Sequence, residues 1–350
     1  MSDGKAWQIA VERFGTLALL ERAPLDARRQ RRLDRIRSGL VLRWADHPEW
    51  RNVLAGADGY VTVSGRVDEK LLGNMPGLRF VQFCGSLDHD IDVDACTARG
   101  VVVSRLRLLS TRSVAEHVIM LMLAVTHRLG PLTAALHGWV PAPHGSDPPV
   151  PYVAGCYNWL GMADLGTLEG RRLGILGFGD VGAEVARLAR GLGMRISYLR
   201  RNRLPPPEER RLGVSFSPLD ELIAASDVLT LHVRRTPETL GLISRDVIRR
   251  MPRGGVLIDT TRGGIVDHQA LAEALRDGHL MGAGVDVFPE EPVSADNPLL
   301  GCPSALLTPH CAGGSLDLFL REAEVVLGNV RRGLNGGRVR GILNKPRTRG

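Results

Sequence analysis

Lysine is nearly absent from this chain. Lys5, Lys70 and Lys345 are the only three in 350 residues, although the formal net charge is +7. Almost all of the 45 basic residues are therefore arginines, a bias that reads as a coding habit rather than a binding surface. Aromatic residues make up 5% of the chain, and no stacked aromatics or recognition motif accompany the arginines, so no nucleic-acid partner is expected. A pI near 9.6 suits small anionic ligands as well as a polyanion. Five cysteines, an odd number without CxxC spacing, exclude a disulfide framework and a zinc motif, so no metal is expected and a reducing cytoplasm fits best. Long apolar runs are also missing. The longest, Val114 to Val125, is interrupted by Glu116 and His117 and is too short to span a bilayer, so no membrane segment is expected. The opening residues MSDGKAWQIAVERFG form no basic leader followed by an apolar core, and export is not expected.

What is present is an alternation of short apolar runs with helix-like stretches. The length exceeds what one compact core normally holds, so two domains are expected. Leu40 to Leu42, Gly59 to Val63, Leu78 to Phe83 and Val101 to Val103 read as strands of a first parallel α/β unit. The basic run Arg28 to Arg37 reads as a solvated helix face. A Pro- and Gly-rich stretch, Gly138 to Asp164, reads as a long loop. Beyond it, strands at Leu173 to Leu176, Ile196 to Leu199, Val228 to His232, Val256 to Asp259, Gly284 to Val287 and Ala305 to Leu307 define a doubly wound second unit. Too few residues follow Ala312 to fold alone, so the helical stretch Leu316 to Arg331 is expected to return to the first unit. The predicted fold is α/β: two doubly wound parallel-sheet domains, with a Rossmann cofactor domain (110–314) inserted in a flavodoxin-like substrate domain (1–109 and 315–350), and a cleft between them.

The glycines of Gly177-Phe178-Gly179-Asp180-Val181-Gly182 follow a strand and open a helix, the context in which such a motif cradles a dinucleotide pyrophosphate. A carboxylate at the end of the next strand would bind the ribose hydroxyls, but the expected position holds Arg200, with Arg201 and Arg203 beside it. Guanidinium forks suit a phosphate monoester, so NADP(H) is the preferred cofactor and NAD(H) the alternative. Three later segments, Asp259 to Asp267 (DTTRGGIVD), Gly282 to Pro292 (GAGVDVFPEEP) and Thr308 to Gly314 (TPHCAGG), each follow an apolar run. They would place Arg262, Glu291 and His310 near the carboxyl ends of parallel strands.

In these segments, spaced 29 residues from Arg262 to Glu291 and 19 from Glu291 to His310, the chain resembles the D-isomer-specific 2-hydroxyacid dehydrogenases, the family of phosphoglycerate, glyoxylate/hydroxypyruvate and phosphite dehydrogenases. The resemblance runs roughly from Leu78 to Gly314. It implies a hydride-transferring enzyme acting on a small anionic 2-oxo acid, with Arg262 on the substrate carboxylate and carbonyl, His310 as acid/base and Glu291 as the partner of the histidine. It also implies cofactor contacts from His232, Thr261 and Asp286, and a homodimer helped by the apolar helix opening at Ser113-Val114-Ala115-Glu116-His117. A phosphite dehydrogenase-like enzyme and a dinucleotide-sensing protein of corepressor type are the alternatives that the same resemblance allows.

The chain departs from the family pattern in two places. The substrate loop, which usually carries two glycines, reads Phe83-Cys84-Gly85-Ser86-Leu87-Asp88, so substrate contacts fall on Ser86 and Leu87. Where an Asn-x-Pro-Gly stretch is common, this chain has Arg105-Leu106-Arg107-Leu108, which is compatible both with reading a second acidic group and with facing solvent.

Overall fold

The computed structural model describes residues 6–12, 14–44, 50–63, 66–85, 91–138, 158, 162 and 164–345. Its chain divides into two compact units, Met1–Thr111 with Gly314–Gly350, and Arg112–Gly313.

The first unit contains strands β1 (Trp7–Glu12), β2 (Leu40–Trp44), β3 (Gly59–Thr62), β4 (Phe80–Cys84) and β5 (Val102–Leu106), with helices α1 (Gly15–Arg22), α2 (Ala27–Arg37), α3 (Trp50–Ala55), α4 (Glu69–Gly73) and α5 (Val93–Ala98) between them. The strands pair in parallel in the order β2-β1-β3-β4-β5, the flavodoxin-like arrangement. Every residue of β3 and β4 is buried, as expected for strands covered on both faces. Aspartates start the helices: Asp26 accepts from Arg29 N (2.8 Å), Asp68 from Leu71 N (2.9 Å) and Asp92 from Ala95 N (2.8 Å). The basic run lies on α2, where only Leu33 and Ile36 are buried.

The second unit begins within α6 (Ser110–Thr126) and continues through α7 (Leu129–His137), β6 (Arg172–Leu176), α8 (Asp180–Gly191), β7 (Arg195–Leu199), α9 (Pro206–Leu212), β8 (Val214–Phe216), α10 (Leu219–Ala225) and β9 (Val228–Leu231). It closes with α11 (Arg245–Arg250), β10 (Gly255–Asp259), α12 (His268–Arg276), β11 (Leu280–Val285) and β12 (Ala305–Leu307). All of its strands are parallel, in the order β12-β11-β10-β9-β6-β7-β8. From β6 the chain winds outward through β7 and β8, then crosses to β9 and winds the other way. The topological switch point therefore lies between β6 and β9, where open α/β sheets form their ligand crevice.

The last helix, α13 (Leu316–Leu334), returns to the first unit. Its stripe Leu320, Ala323, Val326, Leu327, Val330 and Leu334 is buried against Ile9, Val11, Phe14, Leu17 and Phe80. Each large apolar side chain buried there contributes roughly 1.5–3 kcal/mol, which explains why a C-terminal segment completes an N-terminal sheet. The tail beyond α13 covers the β5 edge: Leu343 N donates to Val103 O (2.9 Å), and Asn344 Oδ1 accepts from Val103 N (2.7 Å).

Two elements escaped the sequence analysis. The strand β1 lies inside its sheet between β2 and β3, yet the charges Lys5, Glu12 and Arg13 around it break any apolar run long enough to read as a strand. The strand β8 spans three residues and is recognisable only by its pairing with β7.

One buried acid secures the start of α6. Glu322 on α13 is 1% exposed and accepts from the Thr16 hydroxyl, from Ser110 N (2.9 Å) and from Ser110 Oγ (3.0 Å). A carboxylate at a helix N-terminus also complements the partial positive charge there. Glu322→Ala strands the buried Thr16 hydroxyl and two half-buried Ser110 donors and is expected to destabilise the first unit by about 2–3 kcal/mol. Glu322→Gln should lose less. Urea unfolding of both variants checks this, and an unchanged midpoint in Glu322→Ala would rule out the anchoring role.

Candidate active site

The switch point is built around glycine. Gly177 ends β6 with φ +97°, and a Cβ placed there would stand 2.6 Å from the backbone C and O of His232 and 2.8 Å from Val233 N. The turn after β6 thus presses against the turn after β9, a fit no other residue allows. Gly179 caps α8, Asp180 and Val181 form its first turn, and buried Gly182 packs toward the sheet. This strand, tight turn and twelve-residue helix fit a dinucleotide pyrophosphate at the α8 N-terminus. His232 shares a hydrogen bond between Nε2 and Thr230 Oγ1 (3.0 Å), and burial lowers its pKa to about 3, so its ring is neutral at physiological pH.

The three arginines expected at the end of β7 separate. Arg200 is half-buried and Arg201 exposed. Arg203 is instead committed to α9: its Nε and Nη2 donate to Glu209 Oε1 and Oε2, both at 2.9 Å, and its guanidinium stacks 5.5 Å from the Phe216 ring. The cause is Glu209, a buried carboxylate that also accepts from Tyr198 Oη (2.8 Å) and requires a counter-ion.

Glu291 and His310 meet in the second unit, and the Arg262 charge acts on Glu291. His310 Nδ1 and Glu291 Oε2 are 2.6 Å apart, and Glu291 Oε1 accepts from Phe288 N (3.0 Å). Burial opposes the charge on Glu291, but the His310 hydrogen bond, the Phe288 N–H and the nearby charges of His310 and Arg262 outweigh it and hold its carboxyl below the ordinary value. Arg262 is exposed on the loop after β10 and donates to Thr261 O (2.6 Å). That loop packs closely on its neighbour: a Cβ at Gly263 would fall 1.8 Å from Phe288 O, so glycine is required where the Arg262 loop meets the loop leading to Glu291.

Two residues expected at the cofactor have other work. Asp286 is fully buried. Its Oδ1 accepts from Thr308 Oγ1 (2.6 Å) and Cys311 N (2.9 Å), and its Oδ2 from Ala312 N (3.0 Å). It braces the turn in which His310 adopts the left-handed φ of +51°, a conformation uncommon outside glycine that holds the imidazole toward Glu291. Thr261 is buried, and both its N–H and its hydroxyl donate to Asp259 Oδ1. The hydroxyl turns inward to a carboxyl that is 1% exposed, where, among the described residues, only Oδ1 is served by hydrogen bonds.

Ser86 and Leu87, the expected substrate contacts, lie outside the described residues. Arg105 Nε donates to Gly85 O (3.0 Å), so this arginine is tied to the strand end that leads into that loop.

Sequence reasoning missed Asp259 and His117. Asp259 was detectable as an acid ending a strand buried throughout. His117, whose Nε2 lies 3.0 Å from Thr308 Oγ1, has no local signal, because its partner is 191 residues away.

Burial raises the Asp259 carboxyl to about 6, against the Thr261 hydrogen bonds that lower it. Between pH 4 and 6 the unfolded chain has released this proton while the folded chain keeps it. The group's contribution therefore falls as pH rises through that window. Wild type is expected to lose stability relative to Asp259→Asn from pH 4 to 6, and parallel melting curves for the two proteins across that range would disprove the buried, proton-retaining carboxyl.

Comparison with known proteins agrees with this architecture. Residues 155–312 match the profile of the D-isomer specific 2-hydroxyacid dehydrogenase, NAD binding domain. The chain is 36% identical over 271 residues to glyoxylate reductase of Korarchaeum cryptofilum, covering 75% of each. It is 32% identical over 301 residues to D-3-phosphoglycerate dehydrogenase of Mycobacterium leprae, covering 84% of this chain and 53% of that protein, so it spans about half the length of that relative. Among solved structures, a protein of Thermus thermophilus is similar at 30% identity and TM-score 0.63, covering 96% of this chain and 99% of that one. The glyoxylate reductase of Paecilomyes thermophila is similar at 26% identity and TM-score 0.64, covering 96% and 98%. The sheet order, the glycine turn and these likenesses together show that the chain belongs to the D-isomer specific 2-hydroxyacid dehydrogenase family of nicotinamide-dependent oxidoreductases.

Proposed function

We propose that this protein is an NADPH-preferring reductase of small 2-oxo acids. The observation that carries the reading is the His310–Glu291 pair at 2.6 Å, with Arg262 close enough to help hold Glu291 ionised. When bound, the nicotinamide supplies the hydride for C2. Arg262 provides a fixed cation for the substrate carboxylate and for the charge that develops on the carbonyl oxygen. With Nδ1 engaged by Glu291, Nε2 of His310 is the nitrogen that passes the proton, and the carboxylate orients the ring and favours its charged form. Gly177 and the α8 N-terminus hold the pyrophosphate, while Arg200 and Arg201 favour a 2′-phosphate on the adenosine ribose. The second unit binds the cofactor.

We further propose a homodimer in which a second copy covers α6 and α7. Leu129 and Leu136 on α7 are 54% and 50% exposed, Met120 on α6 is 44% exposed, and none of the described α7 residues is buried. An apolar face of this kind is unusual on a monomer surface.

Purified protein is expected to oxidise NADPH with glyoxylate or hydroxypyruvate, and His310→Gln to lower kcat by roughly 10²–10⁴-fold, the usual worth of general acid catalysis. Retained turnover in His310→Gln would defeat the assignment, and equal or better kcat/KM with NADH would defeat the cofactor preference. Analytical ultracentrifugation should give twice the 38.0 kDa chain mass, with Leu129→Glu shifting it toward monomer; a monomeric wild type would eliminate the dimer.

A further inference from the structure

Beside the His310–Glu291 pair stands a second cluster of ligating side chains. His117 Nε2, an Asp286 carboxylate oxygen and Cys311 Sγ all lie within 4.8 Å of one another. They arrive from three places: α6, the end of β11 and the turn after β12. Cysteine spacing could not reveal such a set, since its members lie 169 and 25 positions apart.

The geometry is close to that of a coordination site. Donors bound at about 2.0–2.3 Å around a tetrahedral ion stand roughly 3.3–3.8 Å from one another. His117 Nε2 is already 3.6 Å from Asp286 Oδ1. Cys311 is exposed, so rotation about its Cα–Cβ bond can bring the sulfur in without moving the backbone, and it provides the path by which an ion enters. Asp286 is preoriented by the Cys311 and Ala312 N–H groups. The His117 side chain is 12% exposed and bridged to Asp286 by the Thr308 hydroxyl, at 3.0 Å from the imidazole and 2.6 Å from the carboxylate.

Donor chemistry selects the ion. One imidazole nitrogen, one carboxylate oxygen and one sulfur do not suit magnesium or calcium, which take oxygen shells. They suit a borderline-soft divalent cation.

We propose that His117, Asp286 and Cys311 form a binding site for a thiophilic divalent cation of the zinc class, with water as fourth ligand. On binding, the Cys311 thiol releases its proton to solvent, the His117 proton passes from Nε2 to Nδ1, sulfur–metal and nitrogen–metal bonds form and the Thr308 hydroxyl turns away; no electron is transferred. Because Cys311 follows His310 directly, an occupied site fixes the turn that carries His310 and slows turnover. Only that last consequence rests on the dehydrogenase reading; binding itself does not.

The test uses the full chain and cobalt(II), a zinc surrogate with visible absorption. Wild type is expected to develop ligand-field bands and a sulfur-to-cobalt charge-transfer band that saturate near one equivalent and are displaced by zinc. Cys311→Ser should lose the charge-transfer band, Cys156→Ser should retain it, and His117→Asn should weaken cobalt binding by about tenfold or more. No charge-transfer band in wild type, or an undiminished band in Cys311→Ser, would overturn the proposal. Should His117→Asn fail to fold, the Cys311→Ser spectrum decides alone. Binding without any effect of zinc on NADPH oxidation by an active preparation would leave the site standing and overturn its inhibitory consequence.

Discussion

Every strand of the seven-stranded sheet runs in the same direction, and the chemistry of the second unit depends on that constraint. Parallel pairing sends all of the carboxyl ends to one edge, so the turns that follow β6, β9, β10, β11 and β12 meet there. Gly177, His232, Arg262, Asp286 and His310 are the residues that these turns present. No long-range design beyond strand direction and order is needed to assemble them.

Within that edge, buried carboxylates do the positioning and the groups they position are open to solvent. Asp259 fixes Thr261, whose carbonyl in turn receives Arg262, and Asp286 holds the turn from which His310 projects. Both acids are almost wholly buried, whereas the His310 and Glu291 side chains are 42% and 36% exposed. This division follows from desolvation. Asp286 uses both carboxylate oxygens on hydrogen-bond donors, whereas Asp259 uses only Oδ1 and meets the cost of burial partly by holding its proton to higher pH.

Arg203 and Asp286, expected at the cofactor, each carry intramolecular contacts that the sequence did not reveal. Each stands near the nucleotide-binding edge, as its place after a strand requires. Arg203 nonetheless closes on Glu209, and Asp286 on the backbone of residues 311 and 312, because a charge placed close to a buried opposite charge or a pair of N–H donors forms that contact first.

The sequence by itself determined the parallel α/β class, the glycine turn, and the placement of Arg262, Glu291 and His310 after strands of the second sheet. Each of these depends on a local pattern: an apolar run, a turn residue, or a polar residue directly after a strand. The interior strand β1 was hidden because neighbouring charges masked a short run, and its place was decided by pairing with β2 and β3. Only the tertiary structure decided that Asp286 is a brace, that Arg203 is paired, that Glu322 secures α6, and that His117 and Cys311 share Asp286. Those outcomes depend on which side chains meet in space, from 6 residues apart for Arg203 and Glu209 to 212 for Ser110 and Glu322, and the packing of helices on sheets fixes that, whereas periodicity along the chain does not.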